Sequence, residues 1–110
     1  MLYNESREAP APKFLVTYVG GGMPHDPELV AQARAAFGAW LAQSGEAVTD
    51  PGAPVHTVAR LAGGEPAPEV EVNGFSIIEA TDVAAAKHIL STHPFIGRGG
   101  TLQISEFIGV

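Results

Sequence analysis

The sequence predicts a single α+β domain whose elements follow the order β–α–β–β–α–β. Four short segments alternate in the period of a strand, and two longer segments repeat apolar residues at helical spacing. Glycine and proline punctuate the junctions between these segments. The 110 residues correspond to one domain that is large enough to bury a core.

The first strand is predicted over residues 13–19. Phe14, Val16 and Tyr18 share one of its faces, because successive side chains of a strand alternate. Both faces are mostly apolar, so we expect a strand in the middle of a sheet that is covered on both sides. The glycines at 20–22 end the strand, and the GxxxxGK[ST] spacing of a phosphate loop does not follow them.

The first helix has a defined start and a defined end. Asp26 suits its N-cap, Pro27 suits its first position, and Gly45 suits the left-handed residue that closes a helix. The residues predicted to face inward are Val30, Ala33, Phe37, Trp40 and Leu41.

The middle of the chain is predicted to contain two strands and an irregular connection. We expect the second strand over residues 55–61 and the third over residues 74–80. Glycines and prolines between them indicate irregular structure, in which Val70 and Val72 could add a short hairpin arm.

The C-terminal part is predicted to contain a helix and the last strand. Thr81 or Asp82 caps the helix, which runs to about Thr92 and is stopped by Pro94. The last strand covers residues 101–108, where apolar and polar residues alternate.

This order of elements is that of the split βαβ, or ferredoxin-like, fold, with a four-stranded antiparallel sheet and two helices on one face. We expect the open face to carry Tyr18, Val58 and Phe107, which is more apolar surface than a monomer tolerates. The sequence therefore predicts a homodimer in which two sheets face each other as a dimeric α+β barrel around a small cavity.

Composition excludes several classes of function. Without cysteine, the chain cannot form disulfides, Fe–S clusters, thiolate zinc sites or a thiol nucleophile. A net charge of −6 argues against nucleic acid, and no apolar run approaches the length of a membrane span. We expect a cytoplasmic protein without a cofactor, in which residues 1–12 form an extension and residues 13–110 form the domain. The extension is flexible or docked, or it caps a partner subunit.

The C-terminal half resembles the YCII-related family, in the branch grouped with the DGPF-domain proteins. The matching residues are Gly74, Phe75, Glu79, Ala80, Asp82, Ala85, His93, Pro94, Gly99, Gly100 and Glu106. In the N-terminal half, the helix with Trp40 and the turn at residues 50–54 also fit, so the resemblance covers about residues 13–108. It implies the ferredoxin-like fold and dimerisation.

Two features of that family are missing. The loop before the third strand reads EVEVNGF in place of the Asp-Gly-Pro-Phe tetrapeptide. The first helix also lacks the histidine of the dyad proposed for the family, and Ala33 is nearest to its position.

Candidate catalytic residues are His93, His56 and Asp50. His93 either gains from the dipole at the end of the second helix or belongs to a site, as its match to the family implies. His56 shares a strand face with Arg60, and the pair could bind an anionic substrate with the imidazole as acid or base, or lie exposed on an edge strand. Asp50 either caps its turn or joins the site.

The other polar candidates have ordinary alternatives. His25 could gate a pocket as a substrate-binding residue, or be a solvated loop residue, and His88 is expected to face solvent. Glu79 and Glu106, expected on neighbouring strands, could form a carboxylate pair or mark strand ends near water. The histidines lack metal-binding spacing, so we predict no metal.

Two functional hypotheses follow. In the first, the dimer is a cofactor-independent enzyme that acts on a small organic molecule through acid–base chemistry of histidine and carboxylate in the barrel. In the second, it is a non-catalytic module that binds a small molecule or regulates. A cavity lined by a histidine and a carboxylate would favour the first hypothesis.

Overall fold

The computed structural model describes residues 11–21 and 24–109. The expected extension at residues 1–12 therefore lies almost wholly outside the described residues. In chain order, the elements are β1 (Lys13–Val19), α1 (Pro27–Ser44), a 3₁₀ turn (Gly45–Ala47), β2 (Val48–Pro54), β3 (Val72–Glu79), α2 (Val83–Leu90), α3 (Pro94–Gly97) and β4 (Thr101–Glu106). No helix in these ranges is both long and apolar enough to cross a membrane.

The four strands form one antiparallel sheet in the order β2-β3-β1-β4. The protein is therefore an α+β protein, as the sequence predicts. β1 lies inside the sheet because it pairs with two strands: Phe14 lies opposite Ile78 of β3 and opposite Glu106 of β4. Since β1 separates β3 from β4, Glu79 and Glu106 do not lie on neighbouring strands, which corrects that expectation.

The core lies between the sheet and the two longer helices. Phe14, Val16 and Ile78 of the sheet are almost fully buried there, together with Trp40 of α1 and Leu90 of α2. The indole Nε1 of Trp40 donates a hydrogen bond to the carbonyl of Ile89, 3.2 Å away, which joins the two helices. Burial of these side chains provides most of the stabilisation that a domain of this size can draw on.

The predicted helix caps are confirmed. The Asp26 carboxylate accepts from the amide of Glu28 at 2.8 Å, and the Asp82 carboxylate accepts from the amide of Ala85 at 2.8 Å. Gly45 ends α1 with a φ of 62°, a conformation that glycine adopts without strain. The first helix thus begins and ends where the sequence predicts.

The second strand was predicted at the wrong residues. It covers Val48–Pro54, whereas residues 55–71 contain no strand and are exposed throughout. Two prolines are tolerated in β2 because it is an edge strand, which need not donate on its outer side. We call residues 55–71 the arm; its Leu61 side chain is fully exposed.

The residues expected on the open face of the sheet also need correction. Tyr18 lies on the face that carries the helices, Val58 lies in the arm, and Phe107 follows the end of β4. The opposite face instead presents Leu15, which pairs with Ile77 and, like it, is half-buried.

Candidate functional site

A pocket of about 370 Å³ lies at the end of the sheet where β1 ends. α1, β2, β3 and the segment around α3 all contribute to its wall. Asn73, His93 and Phe95 are buried parts of this wall, whereas the lining residues Arg34 and Arg98 are exposed. The pocket therefore has a buried inner end and a mouth that carries two arginines.

His93 is held at the inner end by hydrogen bonds to both ring nitrogens. It is the N-cap of α3, where its Nδ1 lies 3.0 Å from the amide nitrogen of Phe95, and its Nε2 lies 3.1 Å from the Tyr18 hydroxyl. Because Nδ1 accepts the amide hydrogen, the proton of the neutral ring is on Nε2. His93 therefore donates to Tyr18.

The hydrogen-bond chain continues from Tyr18 to the backbone of β2. The Tyr18 hydroxyl lies 2.5 Å from Ser76 Oγ, which donates to the carbonyl of Pro51 at 2.7 Å. A carbonyl oxygen only accepts, so the Ser76 proton points to Pro51 and the Tyr18 proton points to Ser76. The direction of every proton in this chain is thus set by two backbone groups.

Burial determines the ionisation of both rings. It lowers the pKa of His93 to about 4, and the positive charge of Arg98 acts in the same direction. Burial also raises the pKa of Tyr18, although its hydrogen bond to Ser76 opposes this shift. At neutral pH, His93 is an uncharged imidazole and Tyr18 an uncharged phenol.

Aromatic rings surround His93 on several sides. Its ring centroid lies 4.5 Å from that of Trp40, 5.0 Å from that of Tyr18 and 5.7 Å from that of Phe37. The Phe95 ring stacks on Tyr18 at 5.3 Å. These contacts fix the imidazole in place and explain why its charged form is disfavoured.

The wall at Phe95 depends on a glycine. A Cβ on Gly100 would lie 2.2 Å from the Phe95 ring, which is far inside van der Waals contact. Only a residue without a side chain therefore lets β4 begin against this ring.

The charged groups of the pocket are all of one sign. Arg34 and Arg98 line it, and the described lining residues include no aspartate or glutamate. The described part of the chain also has no cluster of three or more histidine, aspartate or glutamate side chains that could hold a metal ion. The arrangement offers hydrogen bonds, apolar contacts and positive charge to a ligand.

Of the predicted site residues, the structure brings only His93 to the pocket. His93 does not lie at the end of the second helix, as the sequence predicts: α2 ends at Leu90, and His93 is the N-cap of α3, so the dipole at a helix C-terminus does not explain it. Asp50 is exposed and accepts from the amide of Gly52 at 2.8 Å, which is the turn-capping alternative.

The remaining predicted residues lie elsewhere. His56 and Arg60 are in the exposed arm, where the Arg60 guanidinium donates to the carbonyl of Ala67. They are therefore not on a common strand face. His25 is exposed in the loop before α1 and is not among the lining residues.

The sequence analysis did not identify five polar residues of the site, one of which is Asn73, just before the predicted third strand. Tyr18 and Ser76 lie on strands that the sequence predicts, but only the register that pairs β1 with β3 brings their hydroxyl groups together. Arg34 lies three residues before the inward-facing Phe37, a spacing that puts both on one side of a helix and would have indicated it. Arg98 sits among glycines with no pattern that marks it.

Comparison with models of known protein families gave no match to this chain, and comparison with curated proteins gave none either.

Proposed function

We propose that the chain binds a small organic molecule in the pocket and does not catalyse a reaction there. The observation that carries this proposal is the hydrogen-bond chain from His93 to Pro51. Both nitrogens of His93 are engaged, and the chain ends on a backbone carbonyl, which cannot take up a proton at neutral pH. None of the groups in this series of hydrogen bonds, from His93 through Tyr18 and Ser76 to the carbonyl of Pro51, is free to act as a base.

The alternative of acid–base catalysis by histidine and carboxylate is less well supported. The described lining residues supply no carboxylate, and a pKa of about 4 makes His93 a weak base. A general base works best when its pKa lies near the operating pH. The polar groups therefore suit recognition, in which Tyr18 and His93 orient a ligand.

Size and wall chemistry support a small ligand. The volume of about 370 Å³ is near the lower end of the range for pockets that bind small molecules. Phe37 and Phe95 provide an apolar wall, and a few polar groups at the inner end can fix the orientation of a ligand. A largely apolar compound with one or two polar groups fits this description.

We also propose that the fold is ferredoxin-like and that two copies associate as a dimeric α+β barrel. The sheet order and the two helices on one face support the first statement. Half-buried Leu15 and Ile77 on the uncovered sheet face, together with apolar side chains such as Leu61 in the arm, support the second. The sequence resemblance to YCII-related proteins points to the same assembly, and we propose that relationship on its motifs alone.

The function is tested by titrating a panel of small organic compounds into the protein. Trp40 is the only tryptophan and its ring is next to His93, so its fluorescence reports on the pocket. Ala33→Phe places a ring in the pocket wall, and Ala39→Phe on the exposed side of the same helix is the matched control. We expect compounds that bind the wild type and the control but not Ala33→Phe.

Chemical conversion of the bound compounds is followed by NMR in the same samples. We expect every bound compound to be recovered unchanged. Conversion that is lost in Tyr18→Phe would overturn the proposal in favour of an enzyme. Binding that survives Ala33→Phe would overturn the assignment of the pocket.

A further inference from the structure

We propose that the ligand is an organic anion, with a carboxylate or a similar group at the mouth of the pocket and an apolar body inside. This inference rests on the proposed function, since it names the class of ligand for the same pocket. It is carried by Arg34 of α1 and Arg98 at the end of α3, which belong to different parts of the chain and line the same pocket.

The charged residues of the pocket lining are positive, whereas the net charge of the whole chain is negative. The sequence contains 12 acidic and 6 basic residues. Two of the basic residues line the pocket, while the described lining contains none of the acidic ones. An acidic protein that gathers positive charge at one concave site attracts anions to that site and repels them elsewhere.

Each arginine is close to apolar residues of the pocket wall. Arg34 follows Val30 by one turn of α1 and precedes Phe37 by nearly one turn, and all three line the pocket. The Arg98 guanidinium lies 5.7 Å from the centre of the Phe95 ring, over its face. The helix thus places Arg34 on the side of α1 that lines the pocket, and the contact with Phe95 restricts the Arg98 side chain before any ligand binds.

Guanidinium groups suit this task better than other cations. Their planar donors match the two oxygens of a carboxylate, and they keep their charge at every physiological pH. The apolar wall below them then selects for the rest of the ligand, since a small inorganic ion would leave that wall in contact with water. The site therefore favours an aromatic or aliphatic acid over a free ion.

The test compares acids with neutral compounds of the same shape. Benzoate is paired with benzamide, and 3-phenylpropionate with 3-phenylpropanamide, in titrations of Trp40 fluorescence at low ionic strength. We expect the acid of a pair to bind about tenfold more tightly than the amide, because charge-assisted hydrogen bonds to arginine are stronger than neutral ones. We expect this preference to shrink as salt is added.

Variants assign the preference to the mouth of the pocket. Arg34→Gln and Arg98→Gln should each reduce the preference for the acid and leave the affinity for the amide unchanged. Arg60→Gln removes the same charge from the exposed arm and is the matched control. It should keep the full preference.

The possible results distinguish failure of the anion proposal from failure of the proposed binding function. Equal affinities for acid and amide, both abolished by Ala33→Phe, would overturn the anion proposal and leave the binding function standing. A preference for the acid that persists in the double variant R34Q/R98Q would overturn the assignment to these arginines. No binding by either member of any pair would overturn both proposals.

Discussion

The imidazole of His93 donates a hydrogen bond to the hydroxyl of Tyr18 across 3.1 Å, although the two residues are 75 positions apart in the chain. The contact joins the loop before α3 to β1, one of the two inner strands of the sheet. Because the amide of Phe95 occupies the other ring nitrogen, the direction of this hydrogen bond is fixed. At neutral pH both ring protons are held in hydrogen bonds, so the pair suits binding and orienting a ligand better than transferring a proton.

The lowered pKa of His93 predicts a pH dependence of stability. Between pH 4 and the ordinary value of 6.5, the unfolded chain binds a proton at this residue and the folded chain does not. The free energy of unfolding should therefore rise with pH across this window, by about 3 kcal/mol. Denaturant unfolding at several pH values measures the slope.

His93→Asn is the variant for this prediction. Asparagine is a good N-cap, so it can still accept from the amide of Phe95, but it does not titrate. The slope attributable to His93 should disappear in it and persist in His88→Asn, which changes an exposed histidine on α2. Identical slopes in His93→Asn and the wild type would contradict the prediction.

Tyr18→Phe should destabilise the fold and weaken ligand binding. The variant lacks the hydroxyl that accepts from His93 Nε2–H and donates to Ser76 Oγ. Because His93 is only 3% exposed, little water can replace the lost acceptor. A buried donor left without an acceptor costs about 1–3 kcal/mol. Chemical denaturation gives the loss, and Ser105→Ala, which removes an exposed hydroxyl from β4, is expected to change little.

Gly100→Ala tests the close approach of β4 to Phe95. The added methyl group would overlap the Phe95 ring, so the ring must move and the pocket wall moves with it. We expect a loss of about 1–3 kcal/mol in stability, as in overpacked cores, together with weaker ligand binding. At Gly97 a Cβ would meet no atom within 4 Å, so Gly97→Ala should leave both quantities nearly unchanged. Equal effects at the two positions would be incompatible with this account.

Local signals allowed the sequence to predict much of the fold. Asp26, Pro27 and Gly45 each act within one turn of their own position, and α1 has the predicted bounds. The core residues Phe14 and Val16 follow from alternation along one strand. Such features depend only on residues that are close together in the chain, so they can be recognised in a single sequence.

The second strand and the site depend on partners far along the chain. β2 contains two prolines and a glycine at φ 75°, so its composition is that of a turn, and only its edge position beside β3 makes it a strand. VHTVARL has the alternation of a strand, but among the described residues no strand pairs with it. In the same way, Tyr18, Ser76 and His93 come from three separate elements, and no spacing in the sequence connects them.

The exposed apolar residues of the arm predict that the protein self-associates. Val58 is 84% exposed and Leu61 is fully exposed, although both are apolar, and they lie in a segment whose residues are all exposed. An extended segment of this kind is costly to order unless something covers it. We expect the wild type to sediment as a dimer of the 11.4 kDa chain at micromolar concentration.

The double variant Val58→Asp, Leu61→Asp should shift that equilibrium towards the monomer, because two carboxylates would have to be buried on association. Gln32→Glu with Gln43→Glu adds the same charge to exposed positions of α1 and controls for simple repulsion between acidic chains. Analytical ultracentrifugation measures both variants over a range of concentrations. A monomeric wild type would refute the dimer, and a dimer that tolerates both aspartates would show that the arm is not part of its interface.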